Sequence, residues 1–400
     1  VLSRAAPGRP AYDEARLFRA VSGGIGAGGR PLDPAMPRYG LTLEDGRALV
    51  AFLQALDDGR SPPGVEPGQV VLGLLLPPGP AGDALAEAFE AAIAAAAPEG
   101  VFGRRLVVRR ATAAGPAEAE AAARRLLGAP VLALVSTLTG AAADAAVAVA
   151  APPRLPVLAL RAPSAVPAGG RTYALLPGAT DEAEALLRGS ASPGGALLLV
   201  GAEDREGRRL AEAIAERVGR DAEADPRIVD AAGLAAALPG ASAVLLVGGL
   251  RALGPGAAAL LHDGPPVLVA ASAGGASVPE VAAMLGRPVT VGIGVPPVAG
   301  GGPAALRFAA GPGVRAGVLG RLGHAAGEVV VEALRRAGRG LTGDRLADAL
   351  GGAESFVPGS LPPLVLIHGR VDAAARIWRL QVHATGRATV VPADTPALGG

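Results

Sequence analysis

The sequence predicts an α/β chain of two doubly wound lobes joined by a multi-strand hinge, preceded by a small α-helical segment. Three observations predict it. From Val70 to Leu160, short runs rich in Val and Leu alternate with Ala-rich stretches of helical length, with Gly, Ser and Thr at the hand-overs. The same alternation restarts at Ala196 and runs to Ile293. Two helices and three strand-like runs then follow two completed lobes, so the chain is expected to cross back between them, with a cleft that closes by lobe rotation.

Residues 1–60 have a different texture. AYDEARLFRAV (11–21) is expected to be helical, a Gly-rich loop follows, and TLEDGRALVAFLQAL (42–56) carries the marks of an amphipathic helix. Thr42 caps it, Glu44 and Asp45 suit the positive end of the helix dipole, and Leu49, Phe52, Leu53 and Leu56 form the apolar stripe. The polar, Pro- and Gly-rich stretch DDGRSPPGVEPGQ (57–69) marks a boundary. The expected division is therefore a helical segment 1–60, a linker 61–69 and an α/β region 70–392.

In the first lobe, VVLGLLL (70–76), RLVVR (105–109), VLALV (131–135) and PVLAL (156–160) read as strands covered on both faces. Ligands of such sheets sit outside the strand C-terminal ends, which singles out the loops Pro77–Gly82 and Ser136–Gly140. The second lobe reads as strand 196–200, helix 207–218, strand 243–247, helix 255–262, strand 267–270, helix 278–285 and strand 289–293. Helices 317–337 and 342–350 follow, then strand-like PLVLIH (363–368), ARIWRLQV (375–382) and ATVV (388–391). Lobe one is expected at about 70–185 plus 298–340, lobe two at about 186–297 plus 341–392.

Composition excludes several chemistries. All 37 basic residues are Arg, and there is neither Lys nor Asn, a pattern of codon bias. Without Lys there is no phosphate-loop lysine, Schiff base or pyridoxal enzyme. Without Cys there is no thiol catalysis, cysteine-bound zinc or disulfide, although the compartment stays open. A net charge of +1 with interspersed signs argues against a nucleic-acid surface. Glu90 and Asp144 interrupt the two longest membrane-span candidates, so the chain is expected to be soluble and not membrane-spanning. It opens on Val without a charged n-region, so a signal peptide is expected upstream or already removed.

Other signals are weaker. GIGAGG (24–29) fits a dinucleotide fingerprint by letter, but it follows a helix and runs into Pro31. His324 and Glu328, four apart on a helix, read as a packing or solvated pair, with no third metal ligand evident. His262, His368 and His383 belong to no catalytic motif, and Trp378 reads as core. Arg161 and Arg205 flank the cleft loops, with surface pairing as the default.

From about Gln69 to Pro392 the order of landmarks resembles the type I periplasmic solute-binding proteins of ABC transporters, the branched-chain amino-acid receptor group. The landmarks are LGLLLPPGPAGDALAEAFEAAI (72–93), PAEAEAAARRLLGAPVLALVS (116–136), RLPVLALRAPSA (154–165), VGAEDREGRRLAEAI (200–214) and GRVDAAARIWRLQVHATGRATVV (369–391). The resemblance implies a non-enzymatic periplasmic receptor that takes a small solute between its lobes and presents it to permease subunits. It also implies that hydroxyls and backbone N–H groups at a helix N-terminus grip the ligand. Ser136, Thr137, Thr139 and Ser164 stand at those positions, with Gly82, Glu206 and Ser272 at the remaining cleft loops. The family's amino-acid receptors carry an aromatic residue where Glu206 stands, and an acid for the ammonium group where this chain has ASAGG (271–275). An unpaired ammonium in a closed cleft is costly. A small, mostly apolar organic solute with one carboxylate or hydroxyl is therefore expected, or else a receptor that has lost its ligand.

The stretch GRPLDPAMPRYGLTLEDGRALVAFLQAL (29–56) resembles the C-terminal part of a class I cytochrome c domain, with Met36 before Pro37 at the axial-ligand position. CxxCH is absent, so haem c is expected only in a longer form, and no cofactor is expected in the chain as given. The alternative function is a periplasmic electron-transfer protein whose α/β part is a docking or sensing module.

Overall fold

The computed structural model describes residues 10, 12–49, 62–164, 166–167, 170–188, 195–201, 205–219, 225–247, 255–274, 278–295, 317–366 and 377–391. The chain divides into two compact units, Val1–Ser61 and Pro62–Gly400.

In the first unit, helix Glu14–Gly23 starts at Asp13, whose carboxylate accepts the Arg16 N–H at 2.7 Å. It stops at Gly24, whose φ of 69° is a left-handed conformation that suits glycine. Residues 43–49 are helical, and Thr42 caps them as expected: its hydroxyl accepts the Asp45 N–H at 3.1 Å, while the Asp45 carboxylate accepts the Thr42 N–H and hydroxyl at 3.2 and 2.6 Å. Phe52, Leu53 and Leu56 of the expected stripe lie outside the described residues.

In the second unit the described residues form two separate sheets. The first is wholly parallel, in the order β2-β1-β3-β4-β5, with β1 Gln69–Leu76, β2 Arg105–Thr112, β3 Ala133–Ser136, β4 Pro156–Arg161 and β5 Arg171–Leu176. Strand β1 is apolar and buried from Val70 onward because both faces are covered. Val70, Leu72, Leu74 and Leu76 share a core with helices Pro80–Ala96, Gly317–Ala337 and Gly343–Leu350. Val71 and Leu75 face helices Pro116–Gly128 and Gly140–Ala150. Helices Pro80–Ala96 and Gly317–Ala337 approach closely: a Cβ on Gly323 or Gly327 would lie 2.5 Å from the Leu85 carbonyl oxygen or 2.6 Å from that of Phe89.

The second sheet runs β12-β11-β10-β9-β8-β6-β7, with β6 Ala196–Val200, β7 Asp225–Val229, β8 Ala241–Leu246, β9 Val267–Ala270 and β10 Val289–Ile293 parallel. The hairpin β11 Trp378–Val382 and β12 Ala388–Val391 adds antiparallel strands at one edge. Helices Ala179–Arg188 and Arg205–Val218 cover one face, and helices Pro255–His262 and Val278–Leu285 the other.

Several elements depart from the sequence expectation. Strand β5 and helix Ala179–Arg188 fall in a stretch where the sequence reading places no element; Gly170 precedes the strand, and the Pro177–Gly178 pair separates it from the helix. Strand β7 was also missed, because an edge strand such as DPRIV needs little apolar patterning. PLVLIH forms no strand among its described residues: Leu364 makes only an isolated bridge to Phe356, and with Leu366 it fills the first lobe's core. Helix Gly343–Leu350 packs in that same core, whereas helix Ala179–Arg188 packs on the second sheet. By packing, the chain changes lobe at Pro177–Gly178 and beyond Leu366, not near 185 and 340. Trp378, expected in the core, is half-buried opposite Ile293.

Candidate functional site

In the first sheet the strand order reverses between β1 and β3, the point where doubly wound sheets open a crevice for ligands. Ser136, the last residue of β3, pairs with Leu75 there. It is fully buried, and its hydroxyl has no hydrogen-bond partner. Thr137 is also buried, but its hydroxyl and its N–H both donate to the Leu75 carbonyl at 2.9 Å, so its polar groups are committed to the strand. Thr139 is exposed and stands at the start of helix Gly140–Ala150 without making a side-chain cap.

The other expected contacts have different surroundings. Ser164 is half-buried, and its N–H donates to Asp144 Oδ1 at 2.8 Å, which fastens the loop after β4 to the helix that Thr139 opens. Gly82 is buried, and a Cβ there would lie 1.9 Å from the Pro77 carbonyl oxygen, so glycine is required by the tight turn into helix Pro80–Ala96. Glu206 belongs to helix Arg205–Val218, and its side chain lies outside the described residues. Met36 lies in the first unit, 45% exposed, with its N–H bonded to the Asp33 carbonyl.

Ser272 joins a cluster that the sequence did not reveal. Glu182 is fully buried and accepts four hydrogen bonds: Arg161 Nη1 at 3.1 Å and Gly294 N–H at 2.9 Å on Oε1, and Ser272 N–H and hydroxyl at 2.8 and 2.6 Å on Oε2. Burial pushes this carboxyl above the ordinary glutamate value, while Arg161, Ser272 and Gly294 pull it back. Arg161 is thus a largely buried ion-pair partner, 16% exposed, instead of the surface cation expected. The sequence carried only a weak signal for it: adjacent acids in the first turn of an amphipathic helix, and an arginine as the last residue of a buried strand.

Elsewhere, His324 Nε2 lies 3.6 Å from Glu328, which also accepts the Gly359 N–H at 2.6 Å; both side chains are buried within the first lobe. Among the described residues no three His, Asp or Glu side chains converge as a metal site would require, and no helix is long and apolar enough to cross a membrane. A cavity of about 400 Å³ beside His383 and Arg387, and one of about 260 Å³ beside Phe356, are lined by none of the expected cleft residues.

No protein-family profile and no curated protein matches the chain. Solved structures do. A fatty acid ABC transporter substrate-binding protein from Thermomonospora curvata matches with a TM-score of 0.63 at 16% identity, over 85% of this chain and 96% of its own. A substrate-binding protein from Desulfitobacterium hafniense in complex with Leu matches at 0.60 and 16%, over 81% and 100%. A leucine-binding protein from Thermotoga maritima matches at 0.57 and 16%, over 80% and 97%. The chain therefore has the two-lobed α/β fold of type I periplasmic substrate-binding proteins.

Proposed function

We propose that this chain is the substrate-binding component of a periplasmic ABC-type uptake system. It holds a small, mostly apolar organic solute between its lobes and delivers it to permease subunits in the inner membrane, without chemistry of its own. One observation carries the reading: a buried hydroxyl, Ser136 Oγ, has no partner at the switch point of a doubly wound sheet. An unsatisfied buried hydroxyl costs about 1–3 kcal/mol, a cost offset when a ligand supplies the missing bond. Thr139, whose hydroxyl makes no cap, offers a second donor on the same loop.

The bound class follows from charge. The Glu182 carboxylate is already occupied by four donors, and the loop after β9 supplies no free acid for an ammonium group. The solute is therefore a carboxylate or alcohol on an apolar frame, not an α-amino acid. Similarity in fold to the fatty acid receptor supports this class. Isothermal titration against straight-chain and aromatic carboxylates, alcohols and leucine tests it. Micromolar binding of a carboxylate or alcohol that Ser136→Ala abolishes is the expected result; tight binding of leucine alone, or silence across the panel, overturns it.

A further inference from the structure

We propose that Glu182 is the pivot of the interlobe hinge, a positioning residue whose carboxylate ties both described crossings and the strand ends of both lobes into one unit and so sets the angle between them. The proposal rests on the two-lobed fold and requires no known solute.

The first crossing, Pro177–Gly178, leads from β5 into helix Ala179–Arg188 of the second lobe. The second, Gly294–Val295, leaves β10 and returns to the first lobe, where Val295 is buried in the core. The two crossings touch, since a Cβ on Gly294 would lie 2.8 Å from the Pro177 ring; the first crossing also runs against the end of β4, where a Cβ on Gly178 would lie 2.1 Å from the Ala162 carbonyl oxygen. Glycine at 294 lets the two crossings pass with no side chain between them, and glycine at 178 lets the first crossing lie against the backbone that follows β4.

Glu182 stands one turn beyond the first crossing. Its donors come from three places: Arg161 at the end of β4 in the first lobe, Gly294 in the second crossing, and Ser272 after β9 in the second lobe. Arg161 Nη1 also donates to the Pro177 carbonyl at 3.3 Å, so one guanidinium grips the first crossing and the pivot together. The neighbouring Asp181 accepts the Gly178 N–H at 2.8 Å and pairs with Arg217 at 2.7 Å, which anchors the start of the helix to the second lobe. Glu182 is thereby fixed in the second lobe, and Arg161 carries the link to the first. A rotation that separated them would leave two buried charges unpaired, which is strongly unfavourable. Rotations that keep them together have an axis passing close to Glu182.

The chain has no cysteine, which makes site-directed spin labelling clean. Labels at Asp83→Cys and Arg209→Cys, both exposed and one on each lobe, report the interlobe distance; Asp83→Cys with exposed Asp348→Cys reports a distance within the first lobe. The distributions are measured by pulsed electron resonance, without solute, in the parent chain, in Glu182→Gln and in Arg161→Gln. The parent is expected to show one narrow interlobe peak, any alternative lying in the range of about 0.1–10% of an ordinary minor state. Both variants are expected to show a broadened interlobe distribution with a plain second peak, while the first-lobe distance is unchanged. If Glu182→Gln does not fold, Arg161→Gln decides alone, since it cuts the link to the first lobe and leaves the other three bonds in place. Interlobe distributions that superimpose on the parent, or a first-lobe distance that broadens equally, overturn the proposal. A failed solute panel would leave this measurement untouched.

Discussion

Replacing Ser136 by Ala is expected to stabilise the protein while removing its solute binding. Ser136 is fully buried and its hydroxyl lacks a partner, so in the solute-free chain that group carries a desolvation cost of about 1–3 kcal/mol. Deleting one oxygen also forfeits a few dispersion contacts, each about 0.1–0.2 kcal/mol, which offsets part of the gain. The net expectation is a stabilisation of about 1 kcal/mol. Thr137→Val, one residue on and nearly isosteric, should do the reverse. Its hydroxyl donates to the Leu75 carbonyl at 2.9 Å, and losing that bond costs about 1 kcal/mol. The cost stays modest because the same carbonyl still accepts the Thr137 N–H. Urea denaturation followed by circular dichroism measures both, and titration with a bound solute shows whether only Ser136→Ala abolishes affinity. A group that lowers stability yet is required for binding is the signature of a site kept for function. A loss of about 1 kcal/mol or more in Ser136→Ala would instead show that the hydroxyl has a partner in the free protein.

Gly327→Ala gains about 1 kcal/mol of helix propensity but places a Cβ 2.6 Å from the Phe89 carbonyl oxygen. Because backbone cannot swing aside, overpacking of about 1–3 kcal/mol wins and the urea midpoint should fall. The Gly323→Ala and Gly327→Ala pair should cost less than the sum of the singles, since one helix displacement relieves both. Gly82→Ala should lower the melting temperature through its 1.9 Å approach to the Pro77 carbonyl oxygen, by overpacking of about 3 kcal/mol. Burial raises the carboxyls of both Asp181 and Glu182, so the folded state holds their protons longer than the unfolded chain. Their contribution to stability therefore falls as pH rises from the ordinary carboxyl range through the raised values, and Glu182→Gln should flatten that slope in pH-resolved denaturation.

Much of the architecture was legible because doubly covered strands must be apolar at successive positions. β1, β6, β9 and β10 therefore stood out as Val- and Leu-rich runs. Less exposed to this logic were β7, an edge strand, and β5, whose Arg171 and Tyr173 dilute the pattern. Leu364 and Leu366 misled in the opposite direction, since they are apolar for the first lobe's core and need no ladder. In the site, residue type pointed to the Ser136 loop but could not tell Ser136 from Thr137. That distinction depends on whether a carbonyl of β1, 62 residues away, lies within reach of the hydroxyl.

Sequence alone established the alternation of strand and helix, the Thr42 cap of the first unit, and the absence of thiol and lysine chemistry. These are local or compositional properties, set by periodicity, capping geometry and the inventory of functional groups. Which polar groups are free and which are committed follows from the packing of the folded chain. It joined Arg161, Glu182, Ser272 and Gly294, residues spread over 134 positions, around one buried carboxylate. A hydrogen bond needs atoms within about 3 Å. That proximity is fixed by how two sheets and their crossings pack, which is invisible in any short window of sequence.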